Sequence, residues 1–167
     1  MASVLELREI SFAVADFDAA FSKFRAMGFE MSPVWTEPTP PVQAKLTSMP
    51  VANSSISIMS ALSEGTPIAK FLDKRGEGIF SFTFVVDDLE GITELWKAAG
   101  VGFVLDKPIE IYDQYSAGEP IPVIRGNWTR PSTLHGIVIE LQEFRTKDGK
   151  PFRSSAAPRT TAGGKSA

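Results

Sequence analysis

The sequence predicts an α+β fold in which two βαβββ modules form one curved mixed sheet round a central cleft. Two observations carry this. The stretch Glu9-Ile10-Ser11-Phe12-Ala13-Val14-Ala15-Asp16-Phe17-Asp18 returns 72 positions later as Ser81-Phe82-Thr83-Phe84-Val85-Val86-Asp87-Asp88-Leu89-Glu90. Each copy then runs into a helical segment that ends at a glycine, Gly28 and Gly100, so register is kept through a strand, a turn and a helix. Such self-similarity marks a duplicated supersecondary unit that buries its apolar face only beside its neighbour. Any site is therefore expected between two similar halves.

Positions 5–14 are rich in β-formers and alternate, which predicts the first strand. Asp16 suits an N-cap, where a carboxylate accepts from first-turn amides. Phe17, Ala20, Phe21, Phe24 and Met27 then fall at helical spacing, and Gly28 suits the left-handed residue that ends a helix. Positions 29–35 resume extended structure. Glu37-Pro38-Thr39-Pro40-Pro41 stays irregular, because proline fixes φ and lacks a donor. Positions 43–49 and 55–61 read as paired strands, the second alternating Ile56 and Ile58 with Ser55 and Ser57. A linker helix is expected at 66–75. The second half repeats the scheme: a strand at 80–86, Asp88 as cap, a helix with Ile92, Leu95, Trp96 and Ala99 as its stripe, and strands at 101–105, 108–115, 122–128 and 136–143. One domain spanning 1–144 is expected, with modules at 5–62 and 79–144.

A chain of 167 residues with 43% hydrophobic residues can build a sizeable core. Without cysteine it has no disulfide framework, thiolate nucleophile or thiolate metal site. The start lacks a basic region followed by an apolar stretch, and no segment approaches the roughly 20 apolar residues of a membrane span. A soluble, cytoplasmic protein with no membrane partner is expected. From Arg145 onward six basic residues face one acid, which gives positions 145–167 a charge of +5 and leaves −8 on the body of a chain whose net charge is −3. From Ser154 this tail lacks an apolar period and reads as disordered. The body carries no basic patch interleaved with aromatics, so no nucleic-acid partner is expected. Lys70, Lys74 and Arg75 read as a solvated helix face.

Paired βαβββ modules with this Ala-Val-x-Asp turn resemble the vicinal oxygen chelate superfamily of glyoxalases, bleomycin-resistance proteins and extradiol dioxygenases. Within it the chain is most similar to the methylmalonyl-CoA epimerases. Pro67-Ile68-Ala69-Lys70-Phe71-Leu72-Asp73-Lys74-Arg75-Gly76-Glu77-Gly78-Ile79, Phe84-Val85-Val86-Asp87-Asp88-Leu89 and Leu134-His135-Gly136-Ile137-Val138-Ile139-Glu140-Leu141 carry the likeness. It covers roughly 7–144. The resemblance implies a metal centre whose ligand positions fall on Glu9, Ser57, Ser81 and Glu140, where only the last keeps the family's residue. It also implies a homodimer.

Hydroxyls are weak ligands and transition metals in such sites favour imidazole. No metal or other cofactor is therefore expected, the alternative being a divalent ion held by Glu9 and Glu140 with water. His135 is the only histidine and lies five residues before Glu140. Along one strand an odd offset sends it to the opposite face. Family members use the metal to polarise a carbonyl so that a base can remove an acidic proton. Without it, Glu140 and Glu9 become the expected catalytic acid/base pair. Ser57, Ser81, Gln43, Arg125 and the Trp128 indole are the candidate donors to an enolate. Trp35, Phe80, Trp128 and His135 complete the substrate-binding candidates. The expected activity is that of a metal-independent isomerase, epimerase or lyase moving a proton α to the carbonyl of a small organic acid or thioester. The alternatives are a non-catalytic small-molecule binding protein and a metal-dependent methylmalonyl-CoA epimerase.

Overall fold

A computed structural model describes residues 2–116 and 119–152. In chain order its elements are β1 (Val4–Ala13), α1 (Phe17–Ala26), β2 (Trp35–Glu37), β3 (Ala44–Val51), β4 (Ser54–Ala61), α2 (Pro67–Arg75), β5 (Gly78–Val86), α3 (Leu89–Ala98), β6 (Ile109–Ser116), β7 (Glu119–Trp128) and β8 (Val138–Arg145). The strands form one eight-stranded mixed sheet in the order β2-β3-β4-β1-β5-β8-β7-β6, curled into a half-barrel. β1 runs parallel to β4 and β5 parallel to β8, while β1 and β5 pair antiparallel where the halves meet. Across that seam Glu9 faces Thr83 and Ser11 faces Ser81. In the 72-residue repeat Ser81 is the counterpart of Glu9, and Thr83 of Ser11. The duplication thus becomes a pseudo-twofold axis through the seam, and the expected α+β architecture of two βαβββ modules is what folds.

Strand alternation then sorts the side chains. Phe12, Ile56 and Ile58 pack beneath α1 with Val14, Phe17 and Met49. Phe84, Val86, Ile139 and Leu141 pack beneath α3 with Leu89, Ile92 and Phe103. Both helices cover one face, so the intervening positions, hydroxyls and carboxylates among them, line the concave one. Asp16 and Asp88 cap α1 and α3 as expected, each accepting from a first-turn amide, and Thr66 does the same for α2. Gly28 and Gly100 follow α1 and α3 at φ +92° and +87°, where an L side chain would be strained.

Three expectations differ. Positions 29–34 form no strand, and only Trp35–Glu37 pairs with β3. The strand expected at 101–105 reduces to a single bridge from Phe103 to Thr129, with Asn127 bonding both the amide and the carbonyl of Leu105. A side chain there replaces the ladder. The end expected at 144 falls short as well. Arg145 closes β8, the chain turns through 146–150, and Phe152 packs against Val85, Ile121, Ile124 and Phe144. An apolar residue after the turn supplies the reason. The remainder of the expected tail, 153–167, lies outside the described residues.

Candidate functional site

The concave face encloses a cleft of about 2290 Å³, well above the roughly 300–1,000 Å³ of a typical small-ligand pocket. Register builds its floor. Ser55, Glu9, Thr83, Glu140 and Trp128 follow one another on a single rung from β4 across β1, β5 and β8 to β7. Strands lie about 4.8 Å apart, so the two glutamates stand on backbones about 9.6 Å from each other with Thr83 between. The adjoining rung carries Ser57, Ser11 and Ser81.

Both carboxylates are held by neutral donors. Glu9 accepts from the Ser11 hydroxyl at 3.2 Å and the Ser55 hydroxyl at 3.0 Å. The Ser57 hydroxyl donates to Ser11 at 3.0 Å, extending the chain inward. Glu140 accepts from the Thr83 hydroxyl at 3.0 Å and the Gln142 amide at 2.8 Å. Burial pushes the Glu140 carboxyl above its ordinary value and the charge of Glu9 adds to the rise, against Gln142, Thr83 and the Arg8 guanidinium. A folded-state pKa raised above the unfolded one makes ionisation of Glu140 costly, so stability falls as pH climbs from the ordinary carboxylate range through the raised value. Glu140→Gln should remove that cost. Urea unfolding across a pH series should show the variant gaining on the wild-type protein as pH rises.

The other candidates divide. Ser81, Trp35, Phe80, Trp128 and His135 line the cleft. Phe80 is fixed edge-on against Phe71 of α2, with centroids 5.4 Å apart. His135 sits in a left-handed turn at φ +49°, and β8 begins only at Val138, so strand alternation does not govern it. It stands at the exposed rim. Ser57 is fully enclosed and touches the cleft only through Ser11. Gln43 lies outside the wall, in a turn at φ +43° whose carbonyl accepts from Leu62. Arg125 is the clearest correction. It occupies the other register of β7, on the α3 side, ion-paired to Glu90, to Glu110 at 3.4 Å and to the buried Glu143 at 2.8 Å.

Sequence reasoning passed over Arg8, Ser11, Ser55, Thr83 and Gln142. The last four follow from Glu9 and Glu140 once register is known. Arg8 follows from a bulge: Leu7 pairs with Phe84 and Glu9 with Thr83, which leaves Arg8 as the extra residue. A bulge re-aims a side chain, and Arg8 and Glu9 both line the cleft. Lys70, Lys74 and Arg75 are exposed, as expected of a solvated helix face, and stand at the mouth of the cleft. The Arg75 guanidinium bonds the Gly136 carbonyl at 3.0 Å beside His135. One rim is therefore basic.

The donors at the four ligand-equivalent positions suit a divalent metal poorly. Both glutamates are engaged by hydroxyl or amide donors, the Ser57 hydroxyl is turned to Ser11, and a guanidinium stands nearby. Among the described residues no three His, Cys, Asp or Glu side chains gather at one point.

Comparison with known proteins agrees with this fold. The Glyoxalase/Bleomycin resistance protein/Dioxygenase superfamily pattern matches residues 8–117. An ethylmalonyl-CoA/methylmalonyl-CoA epimerase of Cereibacter sphaeroides is 28% identical over 142 residues, covering 82% of this chain and 96% of the relative. The crystal structure of Mycobacterium tuberculosis methylmalonyl-CoA epimerase superposes with a TM-score of 0.67 at 27% identity, covering 90% of each chain. A Streptomyces coelicolor methylmalonyl-CoA epimerase variant in complex with 2-nitronate-propionyl-CoA shares the fold at a TM-score of 0.69 and 22% identity, covering 84% of this chain and 97% of that one.

Proposed function

The chain belongs to the Glyoxalase/Bleomycin resistance protein/Dioxygenase superfamily, and from that premise we propose that it is a metal-independent epimerase acting on the coenzyme A thioester of a small organic acid. The observation that carries this is the floor of the cleft, where Glu9 and a Glu140 with a raised pKa stand on one rung with Thr83 between. Two carboxyl groups able to reach opposite faces of one carbon, one of them made more basic by burial, are the parts an α-proton transfer needs.

Glu9, oriented by Ser11 and Ser55, takes the α-proton. The electron pair moves onto the thioester oxygen, where the Ser81 hydroxyl on the cleft wall is the donor at hand. The planar enolate then receives a proton from Glu140 on its other face. Configuration inverts, and the reverse reaction exchanges the two roles. The reach of the cleft and the Lys70, Lys74 and Arg75 rim suit a long ligand carrying phosphates. Two epimerases of coenzyme A thioesters at 27–28% identity support the same substrate class.

The test uses one epimer of methylmalonyl-CoA followed by circular dichroism. The signal should move from that of the pure epimer to the constant value of the equilibrium mixture of the two C2 epimers. A ligand that binds with its signal unchanged would instead indicate a protein that encloses its ligand without altering it.

A further inference from the structure

The two modules finish their concave floors differently. In the first, Ala13 pairs with Met59, and Ile68 of α2 packs over Ala13, Ala44 and Met59. In the second, Val85 is the repeat counterpart of Ala13 and pairs with Gln142, while Phe144 pairs with Ile124. Among the described residues no helix follows β8 to cover this floor. The chain instead turns through 146–150, and the Phe152 amide donates to the Phe144 carbonyl at 2.8 Å, on the edge of β8 that β5 leaves free after Val85. Arg145 bridges Pro151, so Phe152 stands opposite Phe144 and shares its face. Phe144, Ile124, Ile111 and Phe152 all line the cleft. Leu5, 44% exposed and next to the Val4–Val86 pair, lines it too. The Arg8 guanidinium covers part of Phe144, 4.9 Å from its ring centre, so the apolar surface left to a ligand is chiefly that of Leu5, Ile111 and Phe152.

From the basic rim, where Arg75 bonds the Gly136 carbonyl, the chain enters β8, passes Glu140 and reaches this apolar end at Phe144. Four strand residues, about 13 Å, separate Glu140 from Phe144. A thioester held by its phosphates at the rim and by its α-carbon at Glu9 and Glu140 directs its acyl chain the other way, towards Phe144. A methyl or ethyl group would cover little of that length and leave the apolar end in water, where burying it is favourable. Resting on the proton-transfer reading, we infer that the substrate's acyl group carries an apolar chain several carbons long, beyond methyl or ethyl, which lies along Val85 and Phe144 and ends against Phe152. Phe152 is then a specificity-determining residue supplied by the segment after β8.

Calorimetry on the full chain tests this with acetyl-, butyryl-, hexanoyl- and octanoyl-CoA, whose binding requires no inversion. Affinity should climb by about threefold for each added methylene, the scale of burying one. F152S should flatten the climb for hexanoyl- and octanoyl-CoA while acetyl-CoA stays within about twofold, and F152L should keep most of it. Equal affinity across the wild-type series would overturn the assignment and leave this end as internal packing. A slope unchanged in F152S would overturn it too, as would an equal loss for all four ligands, the mark of a merely structural Phe152. The two readings fail separately. A protein whose affinity climbs with chain length through Phe152 but which inverts no α-branched thioester refutes the epimerase alone. One that inverts methylmalonyl-CoA and shows no climb refutes the chain assignment alone.

Discussion

Glu140→Gln is expected to slow inversion of a single methylmalonyl-CoA epimer by about 10²–10⁴-fold, the usual contribution of a positioned acid or base. Affinity should stay within about twofold, because glutamine keeps the shape and the contact with Thr83. Glu9→Gln should cost as much. The two variants nevertheless differ in a way that assigns the faces. With one carboxylate gone, the other can still remove a proton and return one to the same face. Each variant should therefore take up solvent deuterium slowly into one epimer only, without inversion, and the two should choose opposite epimers. Separating the epimers after incubation in D₂O and reading their masses measures this. Inversion at the wild-type rate in either variant would contradict the two-carboxylate arrangement.

Arg125→Ala should do the converse. Arg125 holds Glu143, which is 3% exposed, and ties it to Glu90 at the start of α3. Breaking a buried pair costs about 3–5 kcal/mol when the partner is left uncompensated. Arg145 remains on Glu143 at 2.9 Å, so a loss of about 2 kcal/mol is expected in urea unfolding. The hydrogen bond from Arg125 holds the Glu90 carboxyl below its ordinary value. That contribution is present above the unfolded carboxylate pKa and fades as pH falls through the depressed one, so the variant's deficit should shrink in acid. Inversion rates should be unchanged. A kinetic loss with full stability would return Arg125 to the cleft.

The repeat made the fold legible, because register kept over a strand, a turn and a helix leaves few architectures able to bury both copies. Alternation of Ile56 and Ile58 with Ser55 and Ser57 likewise assigned both faces of β4. Glu9 and Glu140 entered as candidates through the family resemblance, and strand register places both on one rung. The site was not legible where local geometry overrides period. Arg8 reaches the floor through a bulge that no residue type announces. His135 leaves the strand pattern through a left-handed turn, and Arg125 lies on the α3 face of β7. Phe152 shows the same limit at the end of the body, where the basic composition of 145–167 concealed one apolar residue that packs.

Solvent deuterium uptake at the α-carbon of methylmalonyl-CoA, read by mass spectrometry, tests the central claim most directly. The protein is first stripped with chelator and then assayed with and without added cobalt. Uptake in the stripped protein, undiminished relative to the cobalt arm, is the result expected of a floor that works through Glu9 and Glu140. Uptake only after cobalt is restored would contradict it and show that these glutamates serve as ligands.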